Sequence, residues 1–412
     1  MNLKFKIANI FLTALLSAAI HAQTVDWSQK ANPANHQVNG VAFRADGQKV
    51  LSGTNCHPAA IRMFDVSTSD LEWDYTVGSQ YLCIMGVTFS SNNNYIAAIE
   101  EFGNVFIFDN TGEAPEVLSI VNTGTSYAFS TAISPDNSQI AVGCSNGRMK
   151  IYNLPSGSLA ANIAAHPNWV TSVAYSPDGN KIATGGSDRR VKIWTAAGTL
   201  IFNFAGHNGE ITNVKVSPDN NFVVSSSRDK TIKIWDITTG VLVRTIAGHT
   251  GDVNGVDISP DGSKIVSVSA DGSCKIWDFN TGNLLATFGV ANTGAVTAVA
   301  WSPNGNKVAT GNEQSDVVLW DISSITGTKS PSKANDFELT LFPNPASVEL
   351  SAILPAGIAI ARIDIADVCG RVVSSFGQAE ISLAVGQLSP GLYYLSVMTT
   401  DNQRAIQPFV KY

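Results

Sequence analysis

The sequence is poor in charge and in cysteine. Only 14% of its 412 residues are charged, and the balance is acidic, with a formal net charge of −7. A nucleic-acid partner needs a concentrated basic surface, and here Arg189-Arg190 and Lys230/Lys233 are local clusters beside acidic residues, so phosphate-backbone binding is excluded as the main role. The five cysteines cannot all pair, and no C-x-x-C or His-rich spacing points to a metal. Two readings stay open for Cys56 and Cys83: a disulfide in an oxidising compartment, or two small, partly buried thiols. Cys274 is expected to pack in the core. Beyond the N-terminus no apolar run reaches the roughly 20 residues that span a bilayer, so no transmembrane segment is expected in the mature chain. The sequence also lacks G-x-S-x-G, a phosphate loop, a metal-protease helix and a full calcium loop. No cofactor is expected, and the chain is read as a non-enzyme.

What is present is repetition. Residues 259–278, "SPDGSKIVSVSADGSCKIWD", echo residues 217–236, "SPDNNFVVSSSRDKTIKIWD". Equivalent anchors begin at Arg44, Ser90, Ser134, Ser176, Ser217, Ser259 and Ser302, at intervals of 46, 44, 42, 41, 42 and 43 residues. Such a period is the signature of a repeat architecture. Each copy carries a strand such as "VTSVAY", a Pro-fixed turn and two further runs rich in β-branched and aromatic residues. A fourth strand such as "VLVRTI" leads into the next copy. With no helical periodicity between Val25 and Ile322, four short antiparallel strands per repeat describe the blade of a β-propeller.

The repeats resemble the WD-repeat family. Gly206-His207 and Gly248-His249 open their copies, while Trp235-Asp236, Trp277-Asp278 and Trp320-Asp321 close theirs. In the first three copies Phe64-Asp65, Phe108-Asp109 and Tyr152-Asn153 stand in the closing place. The resemblance implies an all-β, seven-bladed propeller over residues 23–325. The seventh copy lacks a fourth strand and "TVDWSQK" at residues 24–30 lacks a partner, so the N-terminal segment is expected to close the last blade.

His166, His207 and His249 each stand ten residues before their anchor, and each copy adds a strand hydroxyl and a turn carboxylate. The sets are Thr184 and Asp188, Ser225 and Asp229, and Ser267 and Asp271. A catalytic triad needs one nucleophile beside an oxyanion hole; three copies at fixed repeat positions argue for structure instead. The expectation is a buried imidazole joining hydroxyl to Asp, with the indole of Trp194, Trp235 or Trp277 completing a tetrad of the WD-repeat kind.

The ends of the chain point to export. Residues 1–22 combine two lysines, an apolar run and a small residue at Ala22, which is a signal-peptide pattern. Residues 326–336 read as a linker, and short alternating strands from 337 to 412 suggest a small Ig-like β-sandwich. "LFPNP" at 341–345, "IADVCGRVV" at 365–373, "LSPGLYYLSV" at 388–397 and the terminal "FVKY" resemble the type A C-terminal sorting domain of the type IX secretion system of Bacteroidota. That resemblance implies engagement of the type IX machinery through residues 337–412, and a location outside the cell or on the outer-membrane surface.

A rigid ring presenting loops is a recognition surface. Counting seven and five residues back from each anchor gives the positions expected to look out from one face. Copies two to four supply Cys83, Met85, Tyr127, Phe129 and Trp169; copies five and six supply Glu210, Thr212, Asp252 and Asn254, with Arg228 nearby. Aromatic anchors beside a charged sector suit a protein or peptide partner. A glycan-binding module is the alternative, with a weak hydrolase on the same scaffold as runner-up. Glu100-Glu101 is read as exposed turn charge.

Overall fold

The computed structural model describes residues 24–31, 37–55, 59–77, 82–288, 294–325, 340–342, 346, 348–353, 359–367, 372–376, 382–400 and 404–411. The signal-peptide and linker segments, and Cys56 with its proposed bridge to Cys83, lie outside the described residues. Cys83 itself is buried, which corrects its expected place on the exposed face.

The chain is all-β and forms a β-propeller. Residues 24–321 make seven four-stranded antiparallel sheets, six of them sequential: 38–77, 84–122, 128–164, 170–205, 211–247 and 253–288. The seventh joins three strands within 296–321 to Thr24–Lys30, which pairs antiparallel with Asp316–Asp321 from Thr24↔Asp321 to Lys30↔Asp316. Lys30 also bridges Asp316 at 2.9 Å, and Lys307 pairs with Asp26. The first strands of successive sheets pack side by side, and Val296–Trp301 packs against Val38–Phe43, so the series closes on itself. Between neighbouring sheets lie apolar layers such as Phe222, Ile234, Val256 and Trp277.

The Ser-Pro-Asp-Gly turn explains its own composition. In six repeats the anchor Ser Oγ accepts the amide five residues on, at 2.8 or 2.9 Å, as with Ser176 and Lys181. The fourth turn position has φ between 61° and 78° and is occupied by Gly47, Asn93, Asn137, Gly179, Asn220, Gly262 or Gly305. Only Gly and Asn enter that left-handed region at little cost, which is why the motif alternates between the two.

Each first strand carries one irregularity. Between its first and third residues the register against the second strand shifts, leaving the second residue as a β-bulge in all seven sheets: Asn39, Met85, Phe129, Thr171, Thr212, Asn254 and Thr297. A bulge re-aims its side chain. These seven positions sit at the mouth of a central channel of about 510 Å³.

Chain direction fixes what each rim carries. First strands run from the bulge rim down to the Ser-Pro-Asp-Gly turns, second strands return, and third strands descend again. Thr24 therefore begins, and Asp321 ends, at the rim of the Ser-Pro-Asp-Gly turns, opposite the bulges.

Residues 340–411 form a three-stranded and a four-stranded sheet that share one core, with Leu350, Ile363, Leu395 and Phe409 fully buried. Among the described residues no helix is long and apolar enough to cross a membrane.

Deleting residues 24–31 leaves Asp316–Asp321 as an unprotected sheet edge and removes the fully buried Ala31. The expected result is a lower unfolding midpoint together with concentration-dependent self-association, read by thermal melts and light scattering; a monomeric variant of unchanged stability would refute the role of this strand.

Candidate functional site

The three His-hydroxyl-Asp sets are assembled as networks. His166 Nδ1 lies 2.8 Å from Asp188 and Nε2 2.9 Å from Thr184 Oγ1, which also accepts the Trp194 indole N–H at 2.9 Å. His207 joins Asp229 and Ser225 at 2.8 Å each, with Trp235 donating to Ser225 at 2.9 Å. His249 lies 2.9 Å from Asp271 and 2.8 Å from Ser267, and Trp277 donates to Ser267 at 2.8 Å. Asp229 Oδ2 also accepts the Asn208 amide and Oδ1 the Thr231 amide, so the carboxylate binds the sheet-leading loop to the turn.

These hydroxyls cannot serve as nucleophiles. Thr184, Ser225 and Ser267 are fully buried and engaged by both histidine and indole. Burial holds the His207 and His249 imidazoles below the ordinary histidine value, although Asp229 and Asp271 pull the other way. Burial alone would raise the two carboxyls, but the hydrogen bonds they accept outweigh it and hold both well below the usual carboxylate range. A neutral imidazole between an ionised Asp and a hydroxyl satisfies every polar atom of the set. Among the described residues no group of three or more His, Cys, Asp or Glu is placed to hold a metal ion.

A second bond recurs around the same rim in every sheet. Seven residues before each anchor, the backbone carbonyl accepts an amide from the turn between the second and third strands. The pairs include Cys83 with Glu101, Tyr127 with Ser145, Trp169 with Ser187, Glu210 with Arg228, and Asp252 with Ala270. That bond fixes the main chain and leaves the side chain free to face outward. Tyr127 and Trp169 use this freedom and are 43% and 45% exposed. Glu210 and Asp252 are half-buried, and Glu210 Oε2 lies 3.4 Å from the exposed Arg228 Nε.

Five residues before the anchor, the bulge residues divide into two groups. Asn39 donates to the Ile84 carbonyl at 2.8 Å, Thr171 to Ile211 at 2.6 Å, Thr212 to Val253, Asn254 to Val296 at 2.8 Å, and Thr297 to Val38. Each of these clamps one sheet to the first residue of the next. Thr212 and Asn254, expected to look outward, are therefore inter-sheet ties. In sheets two and three the bulge residues are Met85 and Phe129, whose side chains offer no donor for such a clamp. Both are half-buried rather than fully displayed.

Phe129 belongs to a continuous aromatic row. Its ring centroid lies 6.3 Å from Tyr127 and 5.3 Å from Trp169, and Tyr127 lies 6.1 Å from Phe102. Phe102 is 48% exposed and was not among the sequence candidates. It occupies the turn position held in later repeats by the tetrad carboxylates Asp188, Asp229 and Asp271, and that replacement was the available signal. Its neighbour Glu100 corrects the reading of an exposed acidic pair. Glu100 is fully buried and accepts the Phe102 amide at 2.9 Å and the Asn104 side chain at 2.7 Å.

Comparison with protein families agrees with this architecture. Residues 118–336 match the family model of the WDR36/Utp21 second beta-propeller domain, and residues 340–411 match that of the secretion system C-terminal sorting domain. No curated protein matches the chain significantly.

Two measurements check the networks. Ser225→Ala leaves His207 Nε2 and the Trp235 N–H without a partner and is expected to cost about 2–5 kcal/mol in chemical denaturation. A folded-state histidine pKa below the unfolded one means that the unfolded chain takes up protons first. The contribution of His207 and His249 is thus complete above roughly pH 6.5 and is lost as pH falls, with the aspartates adding a further loss below roughly pH 4. Thermal midpoints should fall steadily between about pH 7 and about pH 5; a flat profile there contradicts the assignment.

Proposed function

Because the chain belongs to the WDR36/Utp21 second beta-propeller domain family, we propose that it is a non-catalytic, seven-bladed recognition module that captures a polypeptide partner through its aromatic face. The C-terminal sorting domain indicates export to the cell surface or extracellular space, through the type IX secretion machinery. In this reading residues 337–412 fold as the Ig-like sandwich that addresses the protein, and the ring does the binding.

One observation carries the proposal. At the two bulge positions where the ring forgoes its inter-sheet clamp, it places Met85 and Phe129, and Phe129 joins the exposed row of Phe102, Tyr127 and Trp169. Burying a large apolar side chain is worth about 1.5–3 kcal/mol, so leaving three such rings partly in water gives up folding energy that a partner can recover. Trp and Tyr are also the residues that most often anchor interfaces.

Stability and binding should therefore part company in mutants. Met85→Thr/Phe129→Thr restores the residue type found at Thr171, Thr212 and Thr297. Capture of material from envelope and medium extracts is expected to fall at least about tenfold, while stability holds or rises by about 0.5–1.5 kcal/mol. Tyr127→Ala/Trp169→Ala should lose capture with stability changed by no more than about 0.5 kcal/mol. If instead the threonine pair destabilises the ring by about 2–4 kcal/mol and capture persists, the row is packing and the function lies elsewhere.

A further inference from the structure

The turns between second and third strands share one backbone requirement. Their apex residue has positive φ: 88° at Gly103, 76° at Gly147, 67° at Arg189, 69° at Lys230, 78° at Gly272 and 66° at Ser315. Glycine takes this conformation freely, whereas a long side chain meets steric resistance there. Two adjacent sheets nonetheless hold long cations at the apex, in a chain whose net charge is −7. A costly conformation kept at a surface turn points to a use for the side chain.

Both cations are exposed, and no ion pair involving either is found among the described residues. The acids adjacent to them in sequence, Asp188 and Asp229, turn their oxygens to His166 and His207 and to turn amides, and Glu210 lies against Arg228. Arg189 stands two residues beyond Ser187, whose amide and hydroxyl bond the Trp169 backbone at 3.1 and 3.2 Å. The aromatic row therefore ends beside a cationic edge, with Lys230 on the following sheet.

We propose that the ligand is an acidic polypeptide segment in extended conformation, lying along Phe102, Tyr127, Phe129 and Trp169 with carboxylates on Arg189 and Lys230. This rests on the aromatic row being the docking face. Ring spacings of 6.1, 6.3 and 5.3 Å approach the roughly 6.6 Å between alternate side chains of an extended strand. Alternate apolar side chains of such a segment can each meet one ring. The free cations set its direction and its charge.

The test is selection of random peptides from a display library on the intact chain and on two variants. Arg189→Gly/Lys230→Gly removes both cations while satisfying the positive φ, so the fold is kept. Asp and Glu are expected to be enriched at least about threefold among peptides bound by the natural chain. That enrichment should vanish in the glycine variant, with apolar residues still selected, and all selection should vanish in Tyr127→Ala/Trp169→Ala. Acid enrichment that survives in the glycine variant, or enrichment of Lys and Arg, overturns the proposal. Selection of neutral peptides that still depends on Tyr127 and Trp169 overturns the charge assignment alone and leaves the docking face standing. Failure to select any peptide, with polygalacturonate altering tryptophan fluorescence instead, overturns the polypeptide in favour of an acidic glycan.

Discussion

The ring depends on a hydrogen bond made from a defect. In each sheet one extra residue bulges out of the first strand, and in five of the seven its side chain reaches the opening carbonyl of the next sheet. The bulge supplies the re-aimed side chain, and Asn or Thr supplies a short donor that cannot reach far enough to choose another partner. The contact from Thr297 to Val38 is the same bond made between the last sheet and the first. Closure through a repeated local bond, together with the borrowed Thr24–Lys30 strand, accounts for how a chain of small units ends without an open seam.

Against that background the asymmetry of the rim is a division of labour. Sheets four, five and six carry the full histidine networks, which tie loop, turn and strand through buried polar atoms. Sheets two and three have Ala98 and Val142 where the tetrad hydroxyls stand, and Phe102 and Asn146 where the tetrad carboxylates stand in the following turn. Their loops are held by the backbone bonds common to the whole ring, and their side chains are released from structural duty. Apolar rings gather where the polar networks stop.

Repetition made the ring legible. A period near 42 residues and the alternation of Gly with Asn in one turn follow directly from backbone geometry, because the same φ must recur seven times. The histidine networks were legible for the same reason: His166, His207 and His249 keep a fixed offset from Ser176, Ser217 and Ser259. The aromatic row proposed for recognition was legible in part. Offsets from the anchors found Tyr127, Phe129 and Trp169, but they sample only sheet-leading loops and so passed over Phe102 in a turn. They also could not separate outward positions from bulges, so Thr212 and Asn254 read as surface although both are spent on neighbouring carbonyls. The bulge is a register effect and leaves no residue signature of its own. Glu100 misled because a carboxylate in a turn usually faces water, and here it turns inward to cap that turn.

Both ends of the ring, Thr24 and Asp321, meet at one rim, and the aromatic row lies on the other. The described strands at both ends of the ring thus meet on the side away from the proposed binding row. Copies mounted on a common support would all turn the same side outward, as a pavement rather than a pile, and a ligand with several matching segments would meet many sites at once. Weak contacts at each ring could then add up to firm retention without any single site being tight.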